Sequence, residues 1–203
     1  MAKYIGPKSK IARRFGEAIY GADKVLEKRN FPPGQHGLMR KRKKVSEYGT
    51  QLLEKQKAKA IYGIQEKQFR RTFEEAARVG GITGENLMRI LESRLDSVIF
   101  RLGFARTRKE ARQIVTHGHI MVNGRRVDVP SYRVKAGDVV SVAPKSKELL
   151  VIKSALVSNA RFEVPAWLEV DIEKLQGNVL ALPQRDQIDL DINEQLIVEL
   201  YSK

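Results

Sequence analysis

Positions 106–127 read RTRKEARQIVTHGHIMVNGRRV: two histidines around a glycine, set among five arginines and a lysine. Two chemistries suit such residues. Paired imidazoles can hold a metal or move a proton, whereas clustered guanidiniums bind anions. Ligand count argues against the metal. The chain has no cysteine and His36 is its one other histidine, so a site at His117 and His119 would need a donor brought from a distance. A Ser/His/Asp set is compositionally possible, but no G-x-S-x-G turn occurs, nor a glycine-rich loop of the P-loop or dinucleotide-binding kind. The sequence therefore predicts no catalytic residue, no metal ligand and no enzyme. Arg108 and Arg112 are four apart and share one helix face, and the free amides of a helix start add to Arg106, Arg108, Lys109 and Arg112. That combination seats phosphate.

The elements that must position these groups follow from local signals. Thr107-Arg108-Lys109-Glu110 is a capping box, Ala111, Ile114 and Val115 are the buried stripe of the helix it starts, and Gly118 ends that helix. His117 then sits in the last turn and His119 opens a strand. Asn123-Gly124 turns Ile120-Met121-Val122 into Arg125-Arg126-Val127 as a hairpin, with further strands expected at Tyr132–Val134 and Val139–Val142. Upstream, Leu87, Leu91, Leu95, Val98 and Leu102 step by threes and fours, which reads as one amphipathic helix capped by Thr83 and closed by Gly103. Ser46 caps an earlier helix with the stripe Tyr48, Leu52, Leu53, Ala60, Ile61 and Ile64. Phe69, Phe73, Ala76 and Ala77 make a second stripe ending at Gly80-Gly81; these aromatics are read as core, while Tyr62 is open between core and base stacking. Lys55, Lys57, Lys59, Lys67, Arg70 and Arg71 fill the other faces.

Charge says what the scaffold is for. The chain of 203 residues carries 38 Lys and Arg against 24 Asp and Glu, a net +14 that a polyanion would neutralise. The excess is +13 over residues 1–72 and +7 over 73–162, and turns to −6 over 163–203. The acidic end either faces a basic partner or offsets basic neighbours within the fold. Residues 1–39 lack periodicity and carry Gly6-Pro7, Gly21, Pro32-Pro33-Gly34 and Gly37, so they read as an extended arm with room for one short helix, ordered mainly by its partner. Apolar runs are only a few residues long, and the start lacks the apolar stretch of a secretory signal, so neither a membrane partner nor export is expected.

The stretch SRLDSVIFRLGFARTRKEARQIVTHGHIMVNGRRV resembles the RNA-binding module named after the fourth protein of the small ribosomal subunit. The module also occurs in pseudouridine synthases, tyrosyl-tRNA synthetases and a heat-shock-type ribosome-binding protein, so the flanks decide. GPKSKIARR, PPGQHG, SEYGTQLLEKQKAKAIYGIQEKQFRRTFEEA, TGENLMRILESRLD, PAWLEVD and DINEQLIVELYSK are similar, in order, to the bacterial ribosomal protein family over essentially the whole chain. The resemblance implies an α+β fold. A basic arm (1–45) precedes a mostly helical domain (46–91, completed by 165–203), which is interrupted by a small α/β RNA-binding module of two helices and an antiparallel sheet (92–164). It implies a cytoplasmic, ribosomal protein that binds 16S rRNA, nucleates assembly of the subunit body and affects decoding accuracy with the fifth and twelfth proteins. It further implies that the protein lines, with the third and fifth, the path by which mRNA enters, and in some members represses its own message. Lys8, Lys10, Arg13 and Arg14 match the arm's rRNA contacts, and Arg106, Arg108, Arg112, Arg125 and Arg126 those of the module. Arg40, Lys41, Arg42, Lys43 and Lys44 match the basic stretch beside the mRNA. Many relatives hold zinc in the arm through cysteines; none is present here, so no cofactor is expected and packing or RNA must replace that knuckle. Asp191-x-x-Glu194 is expected to cap a final helix buried through Leu196, Ile197, Val198 and Leu200.

Overall fold

A computed structural model describes residues 4–38, 45–159 and 163–202. Arg40, Lys41, Arg42, Lys43 and Lys44 lie outside the described residues. The architecture is α+β, as expected, and the chain divides into two compact units, 1–74 with 191–203, and 75–190.

In the first unit the arm carries α1 (Lys8–Phe15) and α2 (Lys24–Lys28), the latter capped by the Asp23 carboxylate, where one short helix was expected. Ala12 is fully buried, and the Glu17 carboxylate just past α1 reaches Lys57 Nζ at 2.7 Å, so the arm packs against α3 (Glu47–Tyr62). Ser46 caps α3 as predicted, accepting from the Gly49 amide. Its buried face, however, is Gln51, Lys57, Ala58, Ile61 and Tyr62, while Tyr48 and Leu53 are exposed. Tyr62 is thus core. Helix α4 (Glu66–Arg78) starts in this unit, and α9 (Glu194–Tyr201) packs on α3 through buried Ile197. Asn193 caps α9 by accepting from the Gln195 and Leu196 amides, in place of the expected Asp191.

Tyr201 stacks on Phe73 at 4.6 Å and donates to Glu66 at 2.8 Å, and Glu66 also receives Lys55 and Lys59. Burial would raise the Glu66 carboxyl, but the bonds from Lys59, Lys55 and Tyr201 hold it at about 2. A carboxylate so depressed stabilises the fold above its unfolded value and ceases to as pH falls toward about 2. Glu66→Gln should therefore flatten the acid limb of the first unit's stability below about pH 4.5 by about 1 kcal/mol, the half-exposed site being screened by water. Helicity followed against pH in wild type and variant checks this.

The second unit is built on one antiparallel sheet, in the order β2 (Arg125–Arg126), β1 (Ile120–Val122), β3 (Val139–Val142), β5 (Gln176–Val179), β4 (Leu168–Asp171). Ile120, Val122, Val140, Val142, Leu168 and Val179 turn inward, with Trp167, onto α6 (Leu95–Arg101) and α7 (Arg108–Thr116). Helix α5 (Thr83–Glu92) and α8 (Leu150–Ser158) complete the unit. The boundaries expected at 91/92 and 164/165 fall inside this unit, because β4 and β5 extend the module's sheet and α5 packs beside α6.

The leucine stripe from 87 to 102 is two helices, not one, and Thr83 is the first residue of α5 rather than its cap. The chain breaks at Ser93-Arg94 so that backbone can pair with backbone: Leu95 N donates to Tyr132 O, Asp96 N to Pro130 O, and Val134 N to Ser93 O. Those bonds occupy the segment expected as a strand at Tyr132–Val134, which makes only a single bridge, Arg94 to Arg133.

Gly177 on β5 lies flat against Leu102, and a Cβ there would overlap the Leu102 methyl groups. Gly177→Ala should cost about 1–3 kcal/mol by overpacking. Urea unfolding followed by the single tryptophan, Trp167, which is buried in the same core, measures it.

Candidate nucleic-acid interface

The start of α7 is built as predicted and aimed differently. Thr107 Oγ1 accepts from the Glu110 amide at 3.2 Å, and Glu110 reaches back one residue further than a capping box requires, to the Arg106 amide at 2.7 Å and its guanidinium at 2.9 Å. Burial would raise the Glu110 carboxyl, but the Arg106 bonds hold it below the usual range. Arg106 thus remains half-exposed with its charge matched. Lys109 is half-buried on the same turn.

Arg108 and Arg112 do share one face, and that face turns inward. Arg108 Nη2 lies 2.8 Å from Glu92, which also receives Arg101 at 3.0 Å, and the Arg108 guanidinium sits over the Phe100 ring at 4.6 Å. Arg112 lies 3.5 Å from Asp96, which also receives a two-toothed Arg94 at 2.8 and 3.0 Å and the Ser97 amide at 3.1 Å. The side chains of Arg108 and Arg112 are only 15% and 12% exposed, and that of Glu92 is 1% exposed. Much of their charge is therefore answered within the protein, contrary to the expectation that it faces outward. Glu92, Arg94, Asp96 and Arg101 were missed by the sequence reading. Their signal was present: four charges inside an apolar stripe have to be paired.

The hairpin presents its cations. Asn123 and Gly124 take φ of 50° and 77°, the left-handed pair that a two-residue turn of this hand needs. Arg125 and Arg126 on β2 are both exposed, as are Lys145 and Lys147 on the 3-10 turn Pro144–Ser146 and the residue after it, which the sequence did not single out. In the first unit Lys8, Lys10 and Arg14 project from α1 into solvent. Arg13 does not: it donates to the Phe31 and Pro32 carbonyls at 3.0 and 3.3 Å and covers the Phe31 ring at 4.7 Å. Of the expected contacts, then, the structure leaves Lys8, Lys10, Arg14, Arg125 and Arg126 outward, and turns Arg13, Arg108 and Arg112 to internal acceptors.

His117 follows α7, with Gly118 at φ 71° beyond it, and His119 leads into β1. Among the described residues no three His, Cys, Asp or Glu side chains converge as metal ligands, and no helix there is long and apolar enough to cross a membrane.

The family described as Ribosomal protein S4/S9 N-terminal domain matches residues 3–92, and the S4 domain matches 93–140. The small ribosomal subunit protein uS4 of Christiangramia forsetii is 58% identical over 203 residues, and that of Geobacillus sp. is 57% identical, each covering all of both chains. The uS4 protein of Geobacillus stearothermophilus is 54% identical over the same span. Identity at this level from end to end covers both compact units, the hairpin and the α7 start alike, and the chain belongs to the small ribosomal subunit protein uS4 family.

Proposed function

We propose that this protein is a structural constituent of the small subunit of the bacterial ribosome, in the cytoplasm, that binds 16S rRNA and catalyses nothing. End-to-end identity to small-subunit proteins is the observation that carries the reading. The physical support is a net charge of +14, with outward cations on α1 and on β2. Contacts of this kind go to phosphates, because A-form RNA hides its major groove and is recognised by shape.

The finer parts of the reading rest on the full-length resemblance. The protein nucleates assembly of the subunit body and contributes to decoding accuracy beside the fifth and twelfth proteins. It lines the mRNA path with the third and fifth, using Arg40, Lys41, Arg42, Lys43 and Lys44, and belongs to a family of which some members also repress their own message. It works without zinc: cysteine is absent, and within the arm Arg13 holds the 31–32 carbonyls. A filter-binding titration of the full chain against a transcript of the 16S 5′ domain tests the core claim. Tight binding that weakens steeply with salt is expected; no binding at low ionic strength would overturn it.

A further inference from the structure

The outer face of the sheet carries chemistry that the phosphate contacts above leave unused. Side chains alternate along a strand, so with Ile120 and Val122 in the core, His119 and Met121 point to the opposite face. Strand pairing sets Arg126 across from Met121, hence diagonal to His119. The corner is closed by contacts. Arg126 Nη2 donates to the His117 carbonyl at 3.1 Å, its guanidinium fills the space a Cβ on Gly118 would need, and the His117 and His119 rings are 6.0 Å apart. His119 Nδ1 lies 2.8 Å from Oγ of buried Ser146, which stands between exposed Lys145 and Lys147.

We propose that this corner seats one phosphodiester of the RNA, with His119 and Arg126 as its donors and His117 beside them. The proposal rests on the rRNA reading and adds a residue class to it. Three elements pack here: α7 ends in His117, the 3-10 turn brings Lys145 and Lys147 with Glu148 after them, and β2 brings Arg125 and Arg126. Asp128 lies two residues beyond Arg126, at the position the register continues to opposite His119. Neither carboxylate contributes to the shift of His119. Burial first, then the charges of His117 and Arg126, hold the free His119 imidazole below its ordinary value. An arriving phosphate reverses that balance by favouring the imidazolium. Ser146 need not move, since a hydroxyl both donates and accepts and keeps Nδ1 satisfied in either protonation state. A proton from solvent is thus taken up on binding. Because the bound imidazole titrates at higher pH than the free one, affinity rises as pH falls between those two values and is level on either side.

The test is affinity for the 16S 5′-domain transcript at constant ionic strength, from about pH 8 to about pH 5.5, with calorimetry in two buffers of unlike ionisation heat. The wild type should bind about threefold tighter or more at the acid end, with net proton uptake. His119→Gln, which keeps a hydrogen-bonding partner for Ser146, should give a flat profile at unchanged melting temperature. Parallel profiles for the two proteins, or a profile flattened by His117→Gln instead, would overturn the seat while leaving the rRNA reading intact. No binding at any pH would overturn both. Inorganic phosphate at matched ionic strength should not compete; competition that depends on His119 would make this a free-phosphate site and overturn the RNA assignment.

Discussion

Glu92→Ala is expected to lower the stability of residues 75–190 by about 3–5 kcal/mol, enough to leave that unit largely unfolded near physiological temperature. The carboxylate is buried and receives both Arg101 and Arg108. Bringing two guanidiniums and a carboxylate out of water is costly, and their mutual attraction offsets the cost only while all three are present. Removing the carboxylate leaves two cations facing each other in a low-dielectric corner, beside Asp96 with Arg94 and Arg112 of its own. Glu92→Gln keeps an acceptor oxygen and should lose less. Urea denaturation read by Trp167 fluorescence measures the effect, and a Glu92→Ala midpoint within about 1 kcal/mol of wild type would show that the carboxylate does not hold this corner together. Reversing both Arg108 and Arg112 to Glu should unfold the unit for the same reason, by setting new carboxylates against Glu92 and Asp96. Such a variant would report loss of fold rather than loss of an RNA contact, so circular dichroism must accompany any binding assay on it.

The same corner shows where sequence reasoning stops. Local signals were legible. Thr107 and Ser46 cap their helices, Asn123-Gly124 makes the hairpin, and Ala111, Ile114 and Val115 are buried as spaced. Spacing of four placed Arg108 and Arg112 on one face, but not which way the face turns. That is decided by Glu92 and Asp96, each sixteen residues upstream of its partner. Lys57 failed similarly. Among lysines spread over α3 it reads as surface, yet it is buried against Glu17 and Asp191; burial would lower its pKa, but the hydrogen bond to Glu17 and the charges of Glu17, Glu54 and Asp191 raise it. The break at Ser93-Arg94 is invisible in the leucine period, because Leu87 and Leu91 of one short helix and Leu95, Val98 and, at its end, Leu102 of the next are all buried, and only the backbone of residues 130–134 requires it. Strands β4 and β5 were missed because they lack the run of β-branched residues that marks β3, a strand of the same length. Their outward positions, Glu169, Asp171, Gln176 and Asn178, are polar, and Gly177 contributes no side chain to an apolar pattern.

Neutralising Lys8, Lys10 and Arg14 together should weaken binding to the 16S 5′-domain transcript by about tenfold or more at about 0.1 M salt. It should also reduce the slope of log affinity against log salt by about two to three units, one phosphate being released per cation lost, each worth about 0.7–0.9. These side chains project from α1, and the one buried residue of that helix is Ala12, so the substitutions leave its packing intact. Arg125→Ala should act in the same way by a little under one unit. Arg106→Ala should change the slope less than Arg125→Ala does, although both side chains are exposed, because Glu110 already answers the Arg106 charge, which then neutralises less phosphate and releases fewer of the cations condensed on the RNA. The comparison separates a surface that binds by net charge alone from one in which pairing within the protein decides which arginines remain available to phosphate. Equal slope changes for Arg106→Ala and Arg125→Ala would mean that the Arg106–Glu110 pair opens on the RNA. An unchanged slope in the α1 triple variant would remove the arm from the interface.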